Sequence, residues 1–168
     1  MAAMTGDEGG ALAKALAGAS AGATDLGPLV DAVRAGATVL AALGLPAGTA
    51  DLLYAQAHAR FAAGRPGEAL PLFHALCVLD GRAVDHWLGL GICLRHAART
   101  DEARIAFQTA RRLDPDAPSP AYHMAELLMQ AGEVAAARVC LDVFARAPMG
   151  PAKASLAAGA ARLAAAAA

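Results

Sequence analysis

Apolar positions recur along this chain at a fixed distance as well as at helical spacing. Shifting the sequence by 34 residues lays Ala57 over Gly91 and Ala125, Ala69 over Ala103 and Ala137, and Phe73 over Phe107 and Leu141. The same shift aligns Gly64, Ala98 and Gly132. β-Branched residues are few, Ala and Leu are abundant, and Gly or Pro interrupts the chain at short intervals. That pattern predicts an all-α chain of short antiparallel helices. The expected helices run over 50–63, 66–79, 84–97, 100–113, 118–131 and 134–147. Pro66 and Pro118 fall at helix starts, where a missing N–H is harmless. Thr100 with Glu102, and Asp51 in its own helix, offer polar groups to first-turn amides.

An internal period of 34 residues with small residues at matching places is the mark of the tetratricopeptide helix-turn-helix repeat. The middle copy keeps its spacing best: Trp87, Leu90, Gly91 and Leu94, then Ala103, Phe107, Ala110 and the closing Pro115. The small residues let paired backbones approach. Phe73, Trp87, Phe107 and Phe144 then fill the space between pairs, because a lone helix pair cannot bury its own apolar face. The fold expected is a solenoid of three repeats, 50–83, 84–117 and 118–149, within a repeat region of 50–149. Residues 1–24 are expected to be flexible, and region 25–49 to hold one amphipathic helix over Pro28–Leu43 that caps the first repeat or joins a second subunit. Residues 150–168 are expected to form an Ala-rich capping helix or tail.

Charge and composition narrow the function. Fourteen Lys and Arg against fifteen Asp and Glu leave a formal charge of −1, with no basic field for nucleic acid. The apolar fraction of 57% comes mostly from Ala, and the longest uncharged run, 35–50, is broken by Gly36, Gly44, Pro46 and Gly48. No membrane span is expected, since a bilayer requires about 20 apolar residues in a row. Asp7 and Glu8 stand where a secretory signal carries Lys or Arg, so the protein is expected in the cytoplasm. Cys77, Cys93 and Cys140 form no C-x-x-C pair and read as buried thiols.

No phosphate-binding loop, H-E-x-x-H or G-x-S-x-G occurs in the sequence. Gly89-Leu90-Gly91 lies inside a helix and is explained by close packing. His58, His96 and His123 read as polar lining rather than as a metal site. No nucleophile and base pair stands out, so neither an enzyme nor a cofactor is expected. What remains is a surface. In a stacked array the first helix of each pair lines the concave face. Its exposed stripe is expected to comprise Tyr54, His58 and Phe61 in the first copy, Leu88, Ile92, Arg95 and His96 in the second, and Tyr122, Glu126 and Met129 in the third. This apolar stripe suits an extended ligand. The competing expectation has Tyr54 and Phe61 packing on the N-terminal helix instead.

The run Phe73–Asp80 (F-H-A-L-C-V-L-D), Trp87–Gly91 (W-L-G-L-G) and Tyr122–Leu128 with Gly132-Glu133 resembles the tetratricopeptide chaperones of type III secretion translocators, the low-calcium-response protein H family. The likeness spans about residues 30–147. It implies a cytoplasmic chaperone that binds hydrophobic translocator proteins before secretion. The family's concave groove holds an extended translocator segment in pockets for Pro and Leu, and its N-terminal helix often forms a homodimer. On this resemblance Tyr54, His58 and Phe61 occupy aromatic pocket positions, with His58 standing where the family has a larger apolar ring. The alternative is a general tetratricopeptide adaptor gripping an acidic C-terminus. Such a clamp needs Lys, Arg and Asn on the concave face, where Arg95 stands alone.

Overall fold

The structure is a computed structural model, and it describes residues 26–46 and 48–168. The described residues form nine helices and no strand: α1 (Gly27–Arg34), α2 (Val39–Ala42), α3 (Thr49–Ala62), α4 (Pro66–Leu79), α5 (Val84–His96), α6 (Thr100–Leu113), α7 (Pro118–Gln130), α8 (Val134–Arg146) and α9 (Pro151–Ala166). Pairs α3/α4, α5/α6 and α7/α8 are the three helical hairpins that the 34-residue period predicts. α4 and α6 each pack on their own partner and on the first helix of the next pair, and α8 packs on α7 and on the terminal helix α9. The first helices also touch one another, α3 to α5 and α5 to α7, whereas the second helices do not come comparably close. The stack therefore curves with α3, α5 and α7 inside.

The aligned small residues sit where the helices meet. Ala57, Ala69, Ala103, Ala125 and Ala137 have no exposed surface, and Gly91 is buried. Phe73, Phe107 and Phe144 fill the space they leave, at 4%, 0% and 5% exposure. Burying a side chain of that size stabilises the fold by roughly 1.5–3 kcal/mol. Trp87 is half-buried and donates its indole N–H to the Gly81 carbonyl at 2.8 Å, while His86 Nδ1 lies 3.0 Å from the Asp80 carbonyl. Together they pin the α4–α5 turn.

Within each pair the first helix closes in the same way. Gly64, Ala98 and Gly132 take φ of +74°, +57° and +76°. In each hairpin the next N–H reaches back five residues: Arg65 to the Arg60 carbonyl at 3.0 Å, Arg99 to Leu94 at 3.0 Å, and Glu133 to Leu128 at 2.8 Å. This left-handed closure satisfies the last carbonyls of α3, α5 and α7. Arg99, not Thr100, precedes the first turn of α6, and Glu102 pairs with the Arg99 side chain at 2.6 Å rather than capping amides. Asp51 lies in the first turn of α3 as expected.

The single helix expected over 28–43 is two. Gly36 turns left-handed at φ +98°, and Thr38 opens α2 by accepting the Ala41 N–H at 3.2 Å, so the amphipathic run breaks between residues 35 and 38. α2 contacts α4, and Arg82 donates to the Gly36 carbonyl in the turn between α1 and α2, but neither helix buries any of its residues fully. The flexible start expected for residues 1–24 lies outside the described residues. At the other end α9 runs Pro151–Ala166. Lys153 ties it down, donating to the Ala145 and Ala147 carbonyls at 2.7 and 2.6 Å with its ammonium 5.7 Å from the Phe144 ring centre. Among the described residues no helix is long and apolar enough to cross a membrane.

Candidate peptide-binding groove

The inner face divides into an apolar part and a polar part. The apolar part is a half-open pocket of about 210 Å³ lined by Tyr54, His58 and Phe61 from α3, Phe73 from α4, and Asp85, Leu88, Gly89 and Ile92 from α5. Helical spacing puts Tyr54, His58 and Phe61 on one side of α3, and Leu88 and Ile92 on the facing side of α5. Tyr54 meets the Phe73 ring edge-on at 6.0 Å and stacks toward His58 at 6.3 Å. Burial first, and the nearby Asp85 carboxylate second, push the Tyr54 phenol above its ordinary value, so it stays neutral. The volume falls below the roughly 300–1,000 Å³ of small-molecule sites and is on the scale of side chains.

Among the described residues, none from α1 or α2 lines this pocket. Tyr54 packs on Phe73 and His86, and Phe61 meets His96 edge-on at 5.5 Å, all within the array. Phe73 and Gly89 were legible as packing residues only. A Cβ on Gly89 would stand 2.2 Å from the Phe73 ring, so the missing side chain of Gly89 lets Phe73 reach the pocket floor.

The polar part begins one turn beyond Ile92. Arg95 Nη1 lies 2.8 Å from Glu126 Oε2. The same carboxylate takes the Tyr122 hydroxyl at 3.0 Å and faces His123 Nδ1 at 2.8 Å. Burial opposes the charge on Glu126. The bond from His123, the charge of Arg95 and the Tyr122 hydroxyl outweigh it and hold the carboxyl below its ordinary range. Tyr122 departs from the exposed stripe expected of it. It is 8% exposed, packed against Phe144 and crossed by α9 at Gly159. Met129 is half-buried against the core, and His96 is exposed. The first two repeats therefore carry the open apolar surface, and the third is closed by α9.

The three histidines are separated by their ring contacts: His58 to Tyr54, His96 to Phe61, and His123 to Tyr122 and Phe107. Among the described residues no group of His, Cys, Asp or Glu is placed to hold a metal ion. The three cysteines are free and buried. Burial pushes the Cys77 thiol up to about 12 and Cys93 up to about 11, far from the reactive thiolate.

A tetratricopeptide repeat family model matches residues 54–118. Low calcium response locus protein H of Yersinia pestis is 31% identical over 105 residues, and the match spans 62% of this chain and 62% of that protein. PcrH from Pseudomonas aeruginosa superposes with a TM-score of 0.67 at 30% identity, over 73% of this chain and 94% of the PcrH chain. The Yersinia enterocolitica type III secretion chaperone SycD, solved with a peptide of the translocator YopD, superposes with a TM-score of 0.67 at 28% identity, over 73% of this chain and 94% of SycD. The chain belongs to the tetratricopeptide family that includes low calcium response locus protein H, SycD and PcrH.

Proposed function

We propose that this chain is a cytoplasmic type III secretion chaperone that holds an extended segment of a hydrophobic translocator protein in its concave groove before secretion. The observation that carries the reading is the apolar pocket between α3 and α5, open on the inner face and walled by Tyr54, Phe61, Leu88 and Ile92. An extended segment presents alternate side chains to such a wall, and capture denies it to self-association. The SycD structure with its YopD peptide supports the same use of the fold. The role is binding rather than catalysis, and no cofactor takes part.

The proposed chaperone pairs with a second copy through region 25–49. On α1 and the residue before it, Leu26, Val30 and Val33 are exposed at 61%, 42% and 39% and share one helical side. Calorimetric titration with the YopD peptide tests the groove. Saturable binding that Phe61→Ala weakens is expected. Binding untouched by Phe61→Ala and Leu88→Ala would place the site elsewhere.

A further inference from the structure

The polar half of the groove is more than the end of the apolar half. Glu126 already faces three donors, from Arg95, Tyr122 and His123. Arg95 is the under-used member of that group. Its side chain is 16% exposed, one edge of the guanidinium holds Glu126, and Nε is buried without a hydrogen-bond partner. Beside it opens a recess of about 170 Å³ lined by Arg95, His96 and Gln130. The guanidinium carries donors only, the imidazole and the carboxamide can each turn an N–H toward a ligand, and the carboxylate of Glu126 is already engaged. A recess with surplus donors is matched by an acceptor on the ligand.

We propose that Arg95, with His96 and Gln130, forms a second subsite that reads a carboxylate or carboxamide side chain on the bound segment. This rests on the groove reading above and adds a polar determinant to it. The apolar pocket lies on the α3–α5 seam and the recess on the α5–α7 seam. Neighbouring helices stand about 8–10 Å apart, and the residues differ by about 8 Å along α5, so the two subsites are roughly 12 Å apart. An extended chain crosses that in about three to four residues. The segment selected therefore carries an apolar anchor and, three or four positions away, Asp, Glu, Asn or Gln.

The test uses the full chain and synthetic twelve-residue peptides with one Leu in a Pro, Ser and Thr host. Asp, Asn or Ala stands three or four positions to either side of the Leu. Calorimetric titration should show Asp or Asn binding about tenfold tighter than Ala at one spacing, as for a bond to a charged donor. Arg95→Lys keeps the charge beside Glu126 but loses the planar fork, and should bring the Asp and Asn peptides to within about twofold of the Ala peptide measured on the same variant. Gln130→Ala, at an exposed position, should reduce it in part. Salt separates the two sources, since an Asp preference fades at high ionic strength and an Asn preference persists. Leu-dependent binding with equal affinity for Asp, Asn and Ala overturns the subsite and leaves the groove standing. Failure of every peptide to bind overturns both.

Discussion

The edge of the Phe73 ring lies 2.2 Å from the point that a Cβ on Gly89 would occupy. The contact joins α4 to α5 and forms the floor of the apolar pocket, so packing and binding share one pair of residues. Gly89→Ala gains up to about 1 kcal/mol of helix propensity. It must also move a ring that is 4% exposed and braced edge-on by Tyr54, and overpacking of this kind costs about 1–3 kcal/mol. The melting midpoint should fall by about 2–4 °C for each kcal/mol lost. Gly91→Ala, whose Cβ would stand 2.5 Å from the Phe107 ring, should behave alike. An unchanged midpoint in both variants would show that the rings swing aside without strain.

The repeat closure gives a prediction of opposite sign. Ala98 holds φ +57°, where the matching residues of the other hairpins are Gly64 and Gly132. A residue with a Cβ pays roughly 1–2 kcal/mol for that conformation. Ala98→Gly should relieve it, partly offset by the added freedom of the unfolded chain, for a net gain of about 0.5–1 kcal/mol. Gly64→Ala should lose a similar amount. Chemical denaturation of the two variants checks both signs, and destabilisation by Ala98→Gly would refute the account.

These positions also show what was legible in the sequence. The 34-residue period placed the six repeat helices within about a residue of their ends, because buried small residues and left-handed closures recur only when the hairpins do. The break at Gly36 was missed, since the apolar spacing of Leu29, Val33, Val39 and Leu40 continues across it while the backbone does not. Tyr122 looked like a groove residue because helical spacing reports which side of α7 it is on. It does not report that α9 folds back over that side. The Ala-rich sequence of α9 carries little pattern, and its approach depends on Gly159, where a Cβ would stand 2.3 Å from the Tyr122 oxygen. The coupling of Arg95 to Glu126 joins residues of successive repeats at unequal registers, which no comparison of aligned copies displays.

Glu126 predicts a pH response. Its folded carboxyl is held below the ordinary value of 4.5, so ionised Glu126 contributes stability that is complete above that value and is lost as pH falls through the folded one. Acid unfolding of the wild type should therefore include a component below about pH 4.5. Glu126→Gln should lower stability at pH 7, where it leaves Arg95 unpaired, and narrow its difference from wild type as the pH drops. A constant difference from pH 7 to pH 3 would show that the carboxylate is not charged in the fold.

The groove itself separates binding from stability at two aromatic positions. Phe61 is half-buried, and its ring contact is with the exposed His96, whereas Tyr54 braces the buried Phe73 and His86. Phe61→Ala should therefore weaken capture of a Pro- and Leu-containing translocator peptide by roughly 1–4 kcal/mol with a small change in melting midpoint. Tyr54→Ala should lower both. Association into the apolar pocket buries nonpolar surface and should show a negative heat-capacity change. The contribution of the Leu anchor should persist near 1 M salt, where the screening length is about 3 Å and a charge-led contact is lost. Titration and thermal unfolding of the same samples decide the matter. If Phe61→Ala lowers the midpoint and leaves affinity per folded molecule intact, the ring is a packing residue. If the Leu-dependent affinity collapses with salt, the groove grips its ligand by charge, and Arg95 rather than Phe61 is its anchor.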